Sequence, residues 1–287
     1  MAPLTLDGRA LAKELKAELL AAGADLAAGS RPPRLVVIQV AGDAASDWYV
    51  RSIKRSCESV RFGFDHRLLP AETGQEQLNA AIRAACAEPE TSGVIVQMPL
   101  PKHLSATEAT QALDPRKDVD GLHPANAGWL MQGMPALVPN TPAGGMALLD
   151  RYGVEIAGKH AVVVGRSNVV GKPLAMLLLA RHATVSICHS RTPDLSALLK
   201  DADIVAAAVG QAGLVRGEWL KPGAVVLDFG INVVGEGGEV VGDVDWESAS
   251  QVAGAITPVP GGTGPITNMM LLRNTLTAAR WALEGGA

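Results

Sequence analysis

Short, continuous apolar runs alternate with longer amphipathic segments along the whole chain. A run rich in β-branched residues, without polar alternation, predicts a parallel strand buried on both faces. The predicted strands span 34–41, 64–69, 93–97, 160–165, 184–189, 204–209 and 224–230. The predicted helices span 44–60, 74–87, 105–113, 143–152, 171–181, 194–200 and 266–283. This alternation predicts the α/β class with doubly wound parallel sheets.

The segment VPNTPAGG, at 138–145, separates two βα series and is rich in proline and glycine, as junctions are. We therefore expect two domains. An N-terminal α/β domain would comprise 1–140 and 266–287, because the last predicted helix is long enough to return to the first series. A Rossmann-type domain would comprise 141–265.

Composition narrows the function classes. The net charge is −4 and no basic run occurs, which argues against a nucleic-acid partner. The N-terminal segment carries charges every few residues, so it predicts neither a signal peptide nor a membrane span. The three cysteines form no CxxC pair, and the six histidines have no metal-ligand spacing. We expect a cytoplasmic protein with buried thiols and without a metal site.

The segment HAVVVGRSNVVGKPLA, at 160–175, has the pattern of a nucleotide-binding loop. A buried strand leads into a loop that starts at Gly165, and a helix begins near Gly171. This places free backbone N–H groups and a helix dipole opposite a pyrophosphate. The spacing is not GxGxxG, since Ser167 stands at the second glycine position, so a plain strand–helix turn is the alternative.

The end of the next strand indicates which nucleotide is bound. NAD enzymes place an acidic residue there for the ribose 2′-hydroxyl. Here the strand ends in His189-Ser190-Arg191-Thr192, and no acid occurs before Asp194. A hydroxyl and a guanidinium suit a 2′-phosphate, and Arg166 can add charge, so the pattern predicts NADP. The alternative is that Arg191 is an ordinary solvated loop residue.

Seven ordered blocks resemble the methylenetetrahydrofolate dehydrogenase/methenyltetrahydrofolate cyclohydrolase family over nearly the full chain. The blocks are GDAASDWYVRS (42–52), GVIVQMPLPKH (93–103), KDVDGLHPANAG (117–128), GRSNVVGKP (165–173), CHSRT (188–192), KPGAVVLDFGIN (221–232) and ITPVPGGTGPIT (256–267). The resemblance implies one-carbon derivatives of tetrahydrofolate as substrates, NADP as cofactor and a homodimer.

The resemblance also implies roles for individual residues. Tyr49 matches a tyrosine that stacks on the folate aminobenzoyl ring, Asp120 an aspartate that anchors the pterin, and Gln97 a glutamine beside the reacting carbon. All three are candidate catalytic and substrate-binding residues. The turn that closes over the substrate contains Pro260, Gly261 and Gly262. The family's NADP positions are occupied by Thr141, Gly165, Arg166, Ser167, Ser190, Gly210 and Ile231, and Arg191 joins them on the argument above. The alternatives are that Tyr49 is a core residue, Gln97 ends a strand and Asp120 caps a turn.

The chain departs from the family pattern at one catalytic position. The family has a lysine four residues after the tyrosine, and that position is Ile53 here. Cys57 keeps its usual distance from Tyr49, so no gap restores the register. Lys54 is adjacent, but one residue turns the side chain by about 100° around the helix. Smaller departures are Asn140, where cysteine is common, and Arg61, which replaces a common glycine.

Three hypotheses follow. The favoured one is an NADP-dependent methylenetetrahydrofolate dehydrogenase with weak or absent cyclohydrolase activity, because hydride transfer needs positioning whereas hydrolysis needs a proton carrier. The second is a fully bifunctional enzyme in which Lys54 or another group substitutes. The third is a non-catalytic or repurposed protein that binds folate and NADP.

Overall fold

A computed structural model describes residues 2–235 and 237–285. Met1, at the start of the predicted range 1–140, and the last two residues of 266–287 lie outside the described residues. The strands are β1 (Leu4–Thr5), β2 (Arg34–Val40), β3 (Gly63–Leu69), β4 (Gly93–Val96), β5 (His160–Val164), β6 (Thr184–Cys188), β7 (Ile204–Ala207), β8 (Val225–Asp228), β9 (Asn232–Val234), β10 (Glu239–Val241) and β11 (Ala255–Ile256). The helices are α1 (Gly8–Gly29), α2 (Ala44–Ser59), α3 (Gln75–Ala87), α4 (Ala106–Gln111), α5 (Pro124–Met131), α6 (Asn140–Arg151), α7 (Gly171–Ala180), α8 (Leu195–Lys200), α9 (Trp246–Ala249) and α10 (Gly264–Leu283).

The chain forms two compact units. The three-stranded unit comprises Glu14–Asn140 and the residues from Asn268 onwards. The six-stranded unit comprises the residues up to Lys13 together with Thr141–Thr267. The first residues are thus not part of the unit to which the range 1–140 assigned them, because Leu4 and Thr5 of β1 pair in parallel with β11.

The three-stranded unit contains a parallel sheet in the order β3-β2-β4. Its central strand, β2, is buried from Leu35 to Val40, as a continuous apolar run predicts. Helix α2 begins after Asp43, whose carboxylate accepts the backbone N–H of Ser46 at 2.8 Å, a regular N-cap. Helix α10 belongs to this unit from Asn268 onwards, and its residues up to Thr267 belong to the other unit.

The six-stranded unit contains an all-parallel sheet in the order β1-β11-β8-β7-β5-β6. The chain passes from β5 outward to β6 and then returns to β7 on the other side of β5. The buried core of the sheet includes Val162, Val205, Val226 and Ile256. This is the doubly wound Rossmann-type architecture that the sequence predicted.

Some elements differ from their predicted bounds or were not predicted. Helix α6 begins at Asn140 rather than at 143, because Pro142 is tolerated within the first turn of a helix. Helix α5 and the antiparallel hairpin of β9 and β10 lie in segments without apolar periodicity. Within the described residues, no helix has the length and hydropathy of a membrane-crossing segment.

Candidate functional site

In the six-stranded unit, the loops after β5 and β7 flank the point at which the strand order reverses. In open parallel sheets, ligands bind at this point, beyond the carboxyl ends of the strands. Gly165 directly follows β5 and has φ of +126°, and a Cβ at this position would lie 2.2 Å from the carbonyl oxygen of Ala208. Only glycine allows the two loops to approach this closely.

The loop between Gly165 and Gly171 presents polar groups at the start of α7. The hydroxyl of Ser167 accepts the backbone N–H of Val170 at 3.0 Å. A Cβ on Gly171 would lie 2.1 Å from the carbonyl oxygen of Gly165, so the loop is compact at both ends. Arg166 and Ser167 are exposed. The N-terminus of α7 and these side chains can bind an anion such as a pyrophosphate.

The segment after β6 carries the residues predicted to select the nucleotide. Ser190 and Arg191 are both exposed. The turn is closed by His189, whose Nδ1 accepts the backbone N–H of Arg191 at 3.1 Å. The nearest acid, Asp194, caps α8 and accepts the backbone N–H of Ala197 at 3.1 Å. The end of β6 is therefore followed by the positive charge of Arg191, whereas the carboxylate nearest in sequence, that of Asp194, is engaged in capping α8.

The turn at Gly210, after β7, is held by a buried aspartate that the sequence analysis missed. Asp243 is fully buried, and its carboxylate accepts the backbone N–H groups of Val209 at 2.6 Å, Gly210 at 2.9 Å and Gln211 at 2.8 Å. Three such hydrogen bonds fix the turn beside the nucleotide loop. The only sequence signal was the acidic pattern in GDVD, at 242–245, which has no regular spacing to Gly210.

The remaining predicted residues of the six-stranded unit lie in different surroundings. Thr141 is half-buried in the first turn of α6, and Ile231 is 70% exposed. In the turn at 258–262, the bond before Pro260 is cis and Gly261 has φ of +125°. The turn is tight at Gly262, where a Cβ would lie 2.7 Å from the carbonyl oxygen of Pro258.

In the three-stranded unit, Gln97 follows β4 directly, and Asp120 lies alongside the carboxyl end of the same strand. Val94 of β4 forms a parallel bridge with Asp118, so the segment that leads to Asp120 runs alongside the strand. The side chain of Gln97 is buried, and its Nε2 donates to the carbonyl of Met98 at 2.6 Å. Both residues thus stand at the end of the sheet where parallel α/β folds hold ligands.

Tyr49 and Asp120 are close enough to affect each other electrostatically. Burial and the charge of Asp120 raise the pKa of the Tyr49 hydroxyl. Burial and the charge of Asp118 raise the pKa of Asp120 to about 7, whereas a hydrogen bond from Asn140 at 2.8 Å acts in the opposite direction. The tyrosine therefore stays protonated at neutral pH, and the carboxyl of Asp120 titrates in that range.

The two residues relevant to the missing lysine have opposite environments. The side chain of Ile53 is fully buried. The side chain of Lys54 is 58% exposed, and its Nζ lies 3.9 Å from Glu58 on the same helix. On the face of α2 that bears Tyr49 and Ile53, the amide of Asn268 donates to Ser52 Oγ at 3.1 Å and to Ser56 Oγ at 3.3 Å. Lys54 thus points away from this face, as the helix rotation predicted.

Two family models match the chain. The tetrahydrofolate dehydrogenase/cyclohydrolase catalytic domain matches residues 6–120, and the NAD(P)-binding domain of the same enzymes matches residues 139–283. A bifunctional protein FolD from Herpetosiphon aurantiacus is 70% identical over 285 residues, which is 99% of each chain. The chain belongs to the tetrahydrofolate dehydrogenase/cyclohydrolase family. The resemblance inferred from the seven sequence blocks is confirmed.

Solved structures of family members have the same fold. The bifunctional FolD enzyme from Campylobacter jejuni superimposes with a TM-score of 0.95 at 40% identity, covering 97% of this chain and 99% of its own. The FolD enzyme from Trypanosoma brucei, solved with NADP cofactor and an inhibitor, superimposes with a TM-score of 0.93 at 39% identity, covering 99% of each chain. The predicted α/β fold with a Rossmann-type nucleotide domain is confirmed.

The predicted site residues thus form two groups. Tyr49, Gln97 and Asp120 lie in the three-stranded unit, and the nucleotide-loop residues and the turn at 258–262 lie in the six-stranded unit. Within the described part of the chain, no three His, Cys, Asp or Glu side chains are arranged to hold a metal ion.

Proposed function

We propose that this protein oxidises 5,10-methylenetetrahydrofolate to 5,10-methenyltetrahydrofolate with NADP, and that it hydrolyses the product poorly. Membership of the family supports the dehydrogenase reaction, and the buried isoleucine at position 53 carries the second part of the proposal. Bound NADP would supply the hydride acceptor. The protein then has to hold two rings in contact and needs no base for that step, because the nitrogen lone pairs of the substrate assist departure of the hydride.

The proposed folate site consists of Tyr49, Gln97 and Asp120. An aromatic ring at Tyr49 offers contact area to the aminobenzoyl group at a low cost in conformational entropy. The carboxylate of Asp120 can accept hydrogen bonds from the amino group and a ring N–H of the pterin. The raised pKa of Asp120, about 7, predicts that folate binding weakens as the pH falls below neutral.

The proposed nucleotide site fits NADP better than NAD. The carboxylate of Asp194 caps α8, so it is not available for a ribose 2′-hydroxyl in this conformation. Ser190 and Arg191 are exposed after β6, where we propose that the 2′-phosphate binds, and Arg166 is exposed in the loop after β5. A charge-assisted contact there would contribute about 1.5–3 kcal/mol, or roughly a ten- to hundredfold preference.

The preference can be tested by the change Arg191→Ala. We expect the native protein to show a higher kcat/KM with NADP than with NAD, and the variant to lose most of that difference. Arg181→Ala is a matched control, because Arg181 is also exposed but lies after the far end of α7, paired with Asp150 at 2.8 Å. Equal use of NADP and NAD by the native protein would contradict the assignment.

Weak cyclohydrolase activity is proposed from the environment of α2. Hydrolysis of the methenyl cation requires attack by water and transfer of protons, for which an isoleucine offers no group. A second candidate is a fully bifunctional enzyme, which is favoured by the names of the relatives, since the protein from Herpetosiphon aurantiacus is called bifunctional. An absorbance assay that follows methylenetetrahydrofolate oxidation and then methenyltetrahydrofolate decay in one cuvette separates the two.

The assembly and the compartment are also proposals. The family resemblance supports a homodimer, and the cysteine pattern supports a reducing, cytoplasmic compartment. Sedimentation equilibrium of the native chain tests the first, and fractionation of cells that express the protein tests the second.

A further inference from the structure

Three polar side chains form a series that ends at the proposed pterin anchor. Asn274 of α10 donates from Nδ2 to Asn140 Oδ1 at 3.0 Å, and Asn140 donates from its own Nδ2 to Asp120 Oδ1 at 2.8 Å. All three residues belong to the three-stranded unit. We call this series the asparagine relay.

Asn274 has a fixed orientation within the relay. Its Nδ2 also lies 2.9 Å from the carbonyl oxygen of Val119 and 2.8 Å from that of Val138. These are the residues one before Asp120 and two before Asn140 in the chain. The NH₂ group of Asn274 carries two N–H donors, which these three oxygens share, and no acceptor. The amide oxygen has only acceptors, so a flipped Asn274 would oppose oxygen to three oxygens.

The orientation of Asn274 determines that of Asn140. Because Asn140 Oδ1 accepts from Asn274, the NH₂ group of Asn140 has to face Asp120. Asp120 then receives a hydrogen bond, which favours its ionised form. Without Asn274, the amide of Asn140 could rotate and present its oxygen to the carboxylate.

We propose that Asn274 is a positioning residue for the folate site, which orients the amide of Asn140 and thereby keeps Asp120 as a hydrogen-bond acceptor toward the pterin. This inference rests on the proposed function, because it takes Asp120 as the pterin anchor. It adds two residues, on α6 and α10, to a site whose other members lie on α2, after β4 and in the loop before α5.

The electrostatics of Asp120 support the proposal. Burial and the negative charge of Asp118 raise the pKa of Asp120, and the hydrogen bond from Asn140 lowers it. Tyr49, on α2, is the other titratable group of the described residues that interacts with Asp120, and it is uncharged at neutral pH because its pKa is raised. Loss of the Asn140 donor therefore raises the pKa of Asp120 and leaves more of it protonated at pH 7.

A competing explanation is that Asn274 only ties together the backbone near Val119 and Val138. A double-mutant cycle of Asn140→Ala and Asn274→Ala distinguishes the two explanations. If Asn274 acts through Asn140, each single change should weaken tetrahydrofolate binding about fivefold to tenfold. The double variant should then be within about twofold of Asn140→Ala. If the two single changes instead weaken binding independently, so that their effects multiply in the double variant, the proposal is overturned.

The readouts are the Kd for tetrahydrofolate by calorimetry, the KM for methylenetetrahydrofolate, kcat, and the pH dependence of kcat/KM. We expect KM to rise while kcat and the KM for NADP stay within about twofold, and the acid limb of kcat/KM to move to higher pH. Thr277→Ala is the control on α10, since among the described residues its hydroxyl donates only to the carbonyl oxygen of Arg273, within its own helix.

Two further variants keep the test decisive. If Asn274→Ala does not fold, Asn140→Leu is used, because leucine is close to asparagine in size but has no N–H to donate to Asp120. The acid limb of kcat/KM should then move to higher pH, and an unchanged limb would overturn the proposal. Asp120→Asn separates this inference from the function: if it leaves tetrahydrofolate binding unchanged, the pterin anchor itself is wrong. If it weakens binding while the cycle shows no coupling, only the relay fails.

Discussion

Ile53→Lys tests the link between the buried isoleucine and the proposed loss of hydrolysis. The change restores the residue type that the family pattern has four residues after the tyrosine. The site is fully buried, so the new amine would enter an apolar environment beside Tyr49. On the same face of α2, the hydroxyls of Ser52 and Ser56 accept hydrogen bonds from the amide of Asn268.

The energetic cost follows from the burial. Losing the buried isoleucine removes about 1.5–3 kcal/mol of hydrophobic stabilisation. A buried lysine has a pKa lowered by about 3–5 units, to roughly 5.4–7.4, so a substantial fraction of it is neutral at pH 7 and it costs roughly 4–5 kcal/mol there. The sum is comparable with the whole stability of many domains, about 5–15 kcal/mol. Because the folded protein holds this amine with a lowered pKa, the variant should gain stability relative to the native protein as the pH rises from 7 to 9.

The assay measures hydrolysis of methenyltetrahydrofolate at pH values where the variant is folded. We expect the native protein to hydrolyse this compound at a rate close to that in buffer, and Ile53→Lys to accelerate hydrolysis, since general acid–base groups supply roughly 10²–10⁴-fold. Ile53→Met is the matched control, with a long side chain but no amine. Native hydrolysis at a rate comparable with dehydrogenase turnover would refute the reasoning, and Lys54→Ala would then be the next variant to make.

Two other changes address the proposed binding sites separately. Asp120→Asn should raise the KM for folate more than about tenfold, since a lost charged contact costs about 1.5–3 kcal/mol. The NADP affinity, measured by fluorescence quenching, should stay within twofold of the native value. A folate KM within twofold of the native value would contradict the assignment of Asp120 as the pterin anchor. Gly165→Ala should raise the KM for NADP and lower Tm by about 3–10 °C, because its Cβ would lie 2.2 Å from Ala208 O and overpacking costs about 1–3 kcal/mol. If the Gly165→Ala variant has the Tm of the native protein and binds NADP equally well, the close approach of the two loops is unimportant for stability and for NADP binding.

Most strands and helices of both units could be predicted because each buries a continuous or periodic apolar face. Helix α1 was not among the predicted elements, although it buries Leu11, Leu15 and Leu19. The predicted strand at 64–69 agrees with β3 to within one residue, and the predicted helix at 74–87 agrees with α3 to the same extent. The assignment of β1 could not be predicted, since a two-residue strand has no pattern of its own and is defined by its pairing with β11. The β9–β10 hairpin likewise depends on backbone pairing rather than on an apolar stripe.

The site was predictable only in part, for a similar reason. Tyr49, Gln97 and Asp120 stand in sequence blocks that resemble the family, whereas Asp243 and Asn274 act through contacts with distant parts of the chain. Asn140 and Asn274 are 134 positions apart, and no local pattern signals that their amides meet. Asn140 was noticed only as a departure from the family pattern, and its hydrogen bond to Asp120 gives that departure a physical meaning.

The departures from the family pattern at positions 53 and 140 differ in their chemical consequences, since one removes a proton carrier and the other adds a hydrogen-bond donor. Together they favour the hypothesis of a dehydrogenase with weak cyclohydrolase activity. Asn140 adds a neutral donor to the carboxylate proposed to bind the pterin, which supports binding at neutral pH. Ile53 removes a proton carrier beside Tyr49, which affects only a step that moves protons. For a dehydrogenase with weak cyclohydrolase activity, we therefore expect methenyltetrahydrofolate to accumulate in the same amount as the NADPH that is formed. Binding of both ligands without NADPH formation would support the non-catalytic protein instead, and NADPH formation without methenyl accumulation would support the bifunctional enzyme.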